Sequence, residues 1–186
     1  MKNLKILFLL IPGFFFCQKY YEVGNTYWIY KSPDHYMLKT DNFLEAAEVG
    51  KKVLEKQDNI RFNSDEKILF SVARNVESPY NIIFSSFFPN RNLQKFGNEI
   101  YSDKLVQVFE KTFRDLGVEA TITKEKVGID SREFYLIKCD ITSPLKYKNY
   151  FFFTEIDDQE LQITTIFDNP QDEDLILRSV YESKFK

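Results

Sequence analysis

Between Val118 and Phe167 the chain carries four strand-like runs in close succession: Val118 to Lys126, Glu133 to Ile141, Tyr150 to Ile156 and Leu161 to Phe167. Parallel neighbours need a crossover of about a dozen residues or more, and no connection here is that long. The runs therefore predict antiparallel pairing, which puts a sheet at the centre of the fold. Side chains alternate across a strand, so Tyr135, Ile137, Cys139 and Ile141 share an apolar face and Lys138 points the other way. In the same way Phe151 and Phe153 fall on one face and Phe152 on the other.

The residues before this stretch supply the rest of the sheet. Tyr27 to Tyr30 is rich in strand formers and reads as the first strand, broken by Ser32-Pro33-Asp34 and resumed over Tyr36 to Lys39. Ile68 to Arg74 and Tyr80 to Phe88 read as two further strands joined by the loop Asn75 to Pro79. The second of them is apolar on both faces, as a central strand would be.

Helices are expected in three places. Asn42 with Glu45 resembles a capping pair, and Phe43, Ala46, Ala47, Val53 and Leu54 recur at helical spacing, which predicts a helix over 42–56. Pro89 to Gly97 reads as a loop. Tyr101, Leu105, Val108, Phe109 and Phe113 then mark a second helix, stopped by Gly117. Asn169-Pro170 is a cap followed by proline at the first helical position, and Asp172, Glu173 and Asp174 suit the positive end of that third helix. The fold class is thus α+β: a mainly antiparallel sheet of about six or seven strands flanked by three helices, an α/β/α sandwich. Residues 26–186 form a single domain, with 18–25 as a short lead-in.

The first 17 residues read differently. Lys2 and Lys5 precede an uncharged stretch from Ile6 to Gln18 with an apolar centre. That is the anatomy of a secretory signal peptide. A membrane span needs about 20 apolar residues, and Pro12-Gly13 interrupts this run, so no transmembrane span is expected in the mature chain. Cleavage between Cys17 and Gln18 predicts an exported protein, periplasmic or secreted. The alternative is a lipidated Cys17, which would tether the chain to a membrane. Simple cleavage is favoured because bulky Phe16 stands where lipoprotein signals carry a small residue. Without Lys2 and Lys5 the formal charge moves from -3 to -5, and no basic stripe of the kind nucleic-acid binders show is visible.

The inventory of reactive groups is thin. Beyond Cys17 the only cysteine is Cys139, which excludes an internal disulfide and reads as a buried, inert thiol. The only histidine, His35, falls in the loop Asp34-His35-Tyr36, which excludes multi-histidine metal sites. Glu155, Asp157, Asp158 and Glu160 read as a solvated turn. Asp168, Asp172, Glu173 and Asp174 read as a helix start matched to its dipole. Neither group has the glycine of a calcium loop. No catalytic residue, cofactor or metal is expected. What remains is tyrosine, which combines contact area with a polar tip. Tyr20 and Tyr21 after the cleavage point, and Tyr147 and Tyr150 before a strand, are the candidate interaction surface.

This order of elements resembles the PsbP-like fold, which PsbP of the oxygen-evolving complex shares with Ran-binding Mog proteins and with exported bacterial proteins of unassigned role. The resemblance covers most of residues 26–186. It rests on the strand Tyr27 to Tyr30, the helices from Asn42 and Tyr101, the long strands that follow, and the ending Ser183-Lys184-Phe185. No metal-site or photosystem-contact residue matches. The resemblance implies an exported, noncatalytic binding or assembly module with a protein partner. A small-molecule or lipid carrier, with an apolar pocket near Phe151 to Phe153, is the second expectation. An enzyme working through carboxylates alone is the third.

Overall fold

The computed structural model describes residues 18–38 and 67–186. The signal segment, Cys17 and the helix expected over 42–56 lie outside the described residues. The chain runs through β1 (Gln18–Val23), β2 (Thr26–Lys31), β3 (Met37–Leu38), β4 (Lys67–Ala73), β5 (Ile82–Pro89) and α1 (Arg91–Asp115). It continues with β6 (Glu119–Ile129), β7 (Arg132–Ser143), β8 (Tyr147–Ile156), β9 (Gln159–Phe167), α2 (Pro170–Tyr181) and β10 (Lys184–Phe185). The class is α+β, with antiparallel pairing throughout.

The main sheet has seven strands in the order β3-β4-β5-β9-β8-β7-β6. The expected meander is its right half: β6 to β9 pair in sequence, and β9 then closes onto β5. Alternation divides its side chains between two cores. Phe134, Leu136, Phe152, Leu161, Ile163 and Phe167 point to one face. Tyr135, Ile137, Cys139, Ile141 and Phe153 point to the other, where Tyr101, Leu105, Phe109 and Phe113 of α1 cover them. On the first face Ile176 and Val180 of α2 supply the cover. The two described helices therefore pack on opposite faces, as a sandwich requires.

Two expectations about the sheets change. Residues 18–23 are not a lead-in but a strand, paired residue for residue with β2 from Gln18↔Lys31 to Val23↔Thr26. The turn between them has Gly24 at φ 60. With β10 on the other side of β2, they form a separate three-stranded sheet. Its inner side chains, Tyr21, Trp28, Tyr30 and Phe185, join the first core, where Tyr30 stacks on Phe70 at 4.6 Å between ring centroids.

Residues 91–96 are helical rather than loop. Asn90 caps the segment, its side-chain oxygen accepting from the amides of Asn92 and Leu93. Gly97, at φ 73, then kinks the helix before it resumes. The stop at Gly117 is as expected: it adopts φ 67, and the amide of Val118 reaches back to the carbonyl of Phe113. At the start of α2, Asn169 accepts from the amide of Asp172 with Pro170 beside it, again as the sequence predicts.

Candidate functional site

The densest polar cluster forms where α2 begins. Asp172 is 2% exposed. Its Oδ1 accepts from the Tyr36 hydroxyl and from Nη1 of Arg74, each at 2.8 Å, and its Oδ2 accepts from Nδ2 of Asn169, also at 2.8 Å. Burial alone would raise the pKa of this carboxyl. The donors Asn169, Tyr36 and Arg74 outweigh it and hold Asp172 below its ordinary value. Next to it, Glu173 accepts from Nζ of Lys148 on β8 at 2.9 and 2.8 Å. These carboxylates are engaged by cations and hydroxyls from other strands, so the helix start is a fastening point for the β4–β5 turn and β8.

A second cluster lies on the α1 side. Nδ2 of Asn90 donates to the carboxylate of Glu160 and, at 2.9 Å, to the hydroxyl of Tyr101. Glu160 is fully buried. This corrects the expectation of a solvated turn over Glu155 to Glu160. The turn takes only Asp157 and Asp158, both at positive φ, and Gln159 and Glu160 already belong to β9. Strand alternation then carries Glu160 inward, opposite Phe88. Burial, and then the charge of Glu160, push the Tyr101 hydroxyl well above the usual tyrosine range.

The lone reactive groups stand apart. His35 is exposed in a turn at φ 68. Cys139 is buried, and burial, with Asp140 adding, pushes its thiol up to about 12. Among the described residues no group of three or more His, Cys, Asp or Glu is placed to hold a metal ion, and no helix is long and apolar enough to cross a membrane.

The candidate tyrosines do not converge. Tyr21 turns inward onto Phe70 and Trp28, at 4.9 and 5.9 Å between centroids. Tyr150 is buried, its hydroxyl 3.3 Å from Oε1 of Glu173. Tyr147 belongs to β8 itself and packs on Tyr80 at 5.5 Å. Tyr20 alone of the four is fully outward, 62% exposed. The structure adds a neighbour that the sequence reading assigned only to a strand. Tyr27, 53% exposed, shares the outer face of the small sheet with Tyr20, because Glu22↔Tyr27 and Tyr20↔Ile29 are paired positions.

That face leads into a cleft of about 370 Å³. Its walls include Ile29, Lys31, Asp34, Leu175, Arg178 and Lys184, from β2, the loop after it, α2 and β10. Ile29 is 7% exposed and supplies the apolar floor. The rim carries both signs of charge, with Arg178 held by Asp174 at 2.6 Å and Lys184 by Asp130 at 3.2 Å. Such a surface is suited to noncovalent contact with another chain. Phe151 to Phe153, by contrast, are packed core: Phe151 meets Phe109, Phe153 meets Tyr101 and Tyr135, and Phe152 meets Tyr181.

No family model matches the chain, and no curated protein matches it.

Proposed function

We propose that this chain is an exported, noncatalytic binding or assembly module with a PsbP-like fold, engaging a protein partner through the outer face of its small sheet. The observation that carries the reading is the placement of Tyr20 and Tyr27 as diagonal neighbours on that face, next to the cleft floored by Ile29. Exposed tyrosines beside an apolar depression with a charged rim are the makings of a protein contact. The acids at the start of α2 support the same reading, because Tyr36, Arg74, Asn169 and Lys148 engage them in holding elements together. Mass analysis of the mature N-terminus tests export: a chain beginning at Gln18 supports cleavage, and a lipidated Cys17 supports the tethered form.

The contact is tested by placing a photo-crosslinking residue at position 20 in the native host, with position 111 as the control. Lys111 is exposed on α1, away from the small sheet. The reading expects a discrete adduct from position 20 that Tyr27→Ser weakens. Identical adducts from both positions, or none from position 20, overturn it. The carrier reading has no comparable support, because the phenylalanines that motivate it fill the core.

A further inference from the structure

We infer that the first half of β6 is a homodimer edge, where two copies of this chain pair antiparallel about a two-fold axis at Thr121 and extend the sheet across both. This goes beyond the proposed partner face, which lies on the other sheet, and does not depend on it.

Strand β6 is the last in the order of the main sheet, so no described strand pairs with its outer side. Its two halves differ. In the second half Lys124 is bound to Glu99 and Asp103 at 2.7 and 2.6 Å, and Lys126 to Glu133 at 3.1 Å. Charged side chains on an edge strand oppose pairing with another chain. The first half carries a single charge, Glu119 at its start, and none from Ala120 to Thr123. Beside it runs a groove of about 490 Å³ lined by Phe113, Val118, Ala120 and Ile122, with Glu110 and Arg114 of α1 on its rim.

The register identifies a second copy as the occupant. A two-fold normal to the sheet keeps each face on its own side, so paired positions must have equal parity. Centred on Lys124, the pairing sets that lysine against itself. Centred on Glu125, it sets Glu125 against itself and Lys124 against Lys126. Centred on Thr123, it sets Ala120 against Lys126. Centred on Ile122, it sets Glu119 against Glu125. The axes at Thr121 and Thr123 both avoid opposing like charges, but the one at Thr123 sets Ile122 against Lys124 as well as Ala120 against Lys126. Only at Thr121 do the apolar residues match, Ala120 meeting Ile122 of the other copy while Glu119 meets Thr123. The groove lies on the face of Ala120 and Ile122, so the axis joins two apolar strips. Glu110 and Arg114 of α1 line the same groove, so a second copy seated there meets one charge of each sign.

Cysteine trapping reads the register directly, with Cys17→Ser as background and Cys139 buried. Directly opposed Cα atoms are about 4.5 to 5.5 Å apart in an antiparallel pair, within disulfide range. Thr121 and Thr123 are both exposed. Thr121→Cys is expected to give a crosslinked dimer under mild oxidation. Thr123→Cys, displaced from its own copy by roughly 13 Å, is expected to give at least ten-fold less. Sedimentation of the full chain should show a dimer that dissociates on dilution, and Thr121→Arg should leave a monomer that melts like the parent chain at concentrations where the parent is itself monomeric. A chain that is monomeric at every concentration, or that crosslinks equally through both positions, overturns the inference. So does a dimer that Thr121→Arg leaves intact.

Discussion

Arg74 and Asp172 are joined across the fold: Nη1 of Arg74 donates to Oδ1 of Asp172 over 2.8 Å, although the two residues are 98 positions apart. The same oxygen accepts from Tyr36, so one buried carboxylate ties the segment before β3 and the end of β4 to the start of α2. Removing it takes the acceptor from the Tyr36 hydroxyl and the Arg74 guanidinium, while the Asn169 amide keeps Oδ1 of Asp168 at 2.9 Å. Asp172→Ala should therefore cost about 3 kcal/mol in urea unfolding, on the scale of breaking a partly buried charge pair. Because the folded carboxyl is held below its ordinary value, its contribution is complete above the unfolded value of about 4. It is lost as the pH falls through the lower folded value. Asp172→Asn should flatten the acid limb of the stability profile. An unchanged acid limb would show that this carboxyl is not the group responsible.

Gly24 and Asp157 bring two turns into contact. A Cβ at Gly24 would collide with the Asp157 carboxylate, and Gly24 also adopts φ 60. Gly24→Ala should lose about 2 to 3 kcal/mol, from left-handed strain together with the clash. Asp157→Ala removes the clash and, with it, the acceptor of the Asn25 amide, so the double variant should lose less than the sum of the two single losses. Full additivity in the thermal unfolding of the four chains would place the two turns out of contact.

How much of this was legible depended on whether the deciding partner was local. The cap at Asn169, the stop at Gly117 and the facing of Cys139 are set by neighbours a few residues away, and all three read correctly. The strand at Gln18–Val23 also had a local sign, the two-residue turn Gly24-Asn25 between aromatic runs, but reading these residues as a lead-in after the cleavage point hid it. The start of α1 was obscured by Pro89, Asn90 and Gly97, which are common in loops; here Asn90 is the cap and Gly97 the kink. Glu160 was harder. Its burial is fixed by the length of the Asp157-Asp158 turn and by Asn90, a residue 70 positions away. The tyrosines divided for the same reason, since period two turns Tyr20 out and Tyr21 in.

Cys139 should be silent to thiol reagents while the chain is folded. It lies among Tyr135, Ile137 and Ile141 in the core under α1, and burial holds the thiol up near 12. The thiolate is the reacting species, so both access and ionisation are withheld. With Cys17→Ser as background, labelling at pH 8 should proceed only as fast as the sheet opens and should rise steeply with urea. Fast stoichiometric labelling in buffer alone would contradict this burial.

Asn90 gives the sharpest test of the buried cluster. Its Oδ1 caps α1 through the amides of Asn92 and Leu93, at 2.9 and 3.0 Å, while its Nδ2 donates to Glu160 and Tyr101. At an ordinary helix start aspartate caps as well as asparagine, and alanine is the poor choice. Here aspartate keeps the cap but sets a second carboxylate against buried Glu160 in place of the amide that donated to it. Asn90→Ala should cost about 2 kcal/mol through the lost cap and hydrogen bonds, and Asn90→Asp about 3 kcal/mol or more through like-charge repulsion in a buried site. The usual ranking is thereby inverted at neutral pH. Lowering the pH should narrow the gap, because protonating either carboxyl restores a donor. Urea unfolding of both variants at pH 7 and pH 5 measures the order; aspartate more stable than alanine at pH 7 would show that Glu160 exerts no charge on the cap.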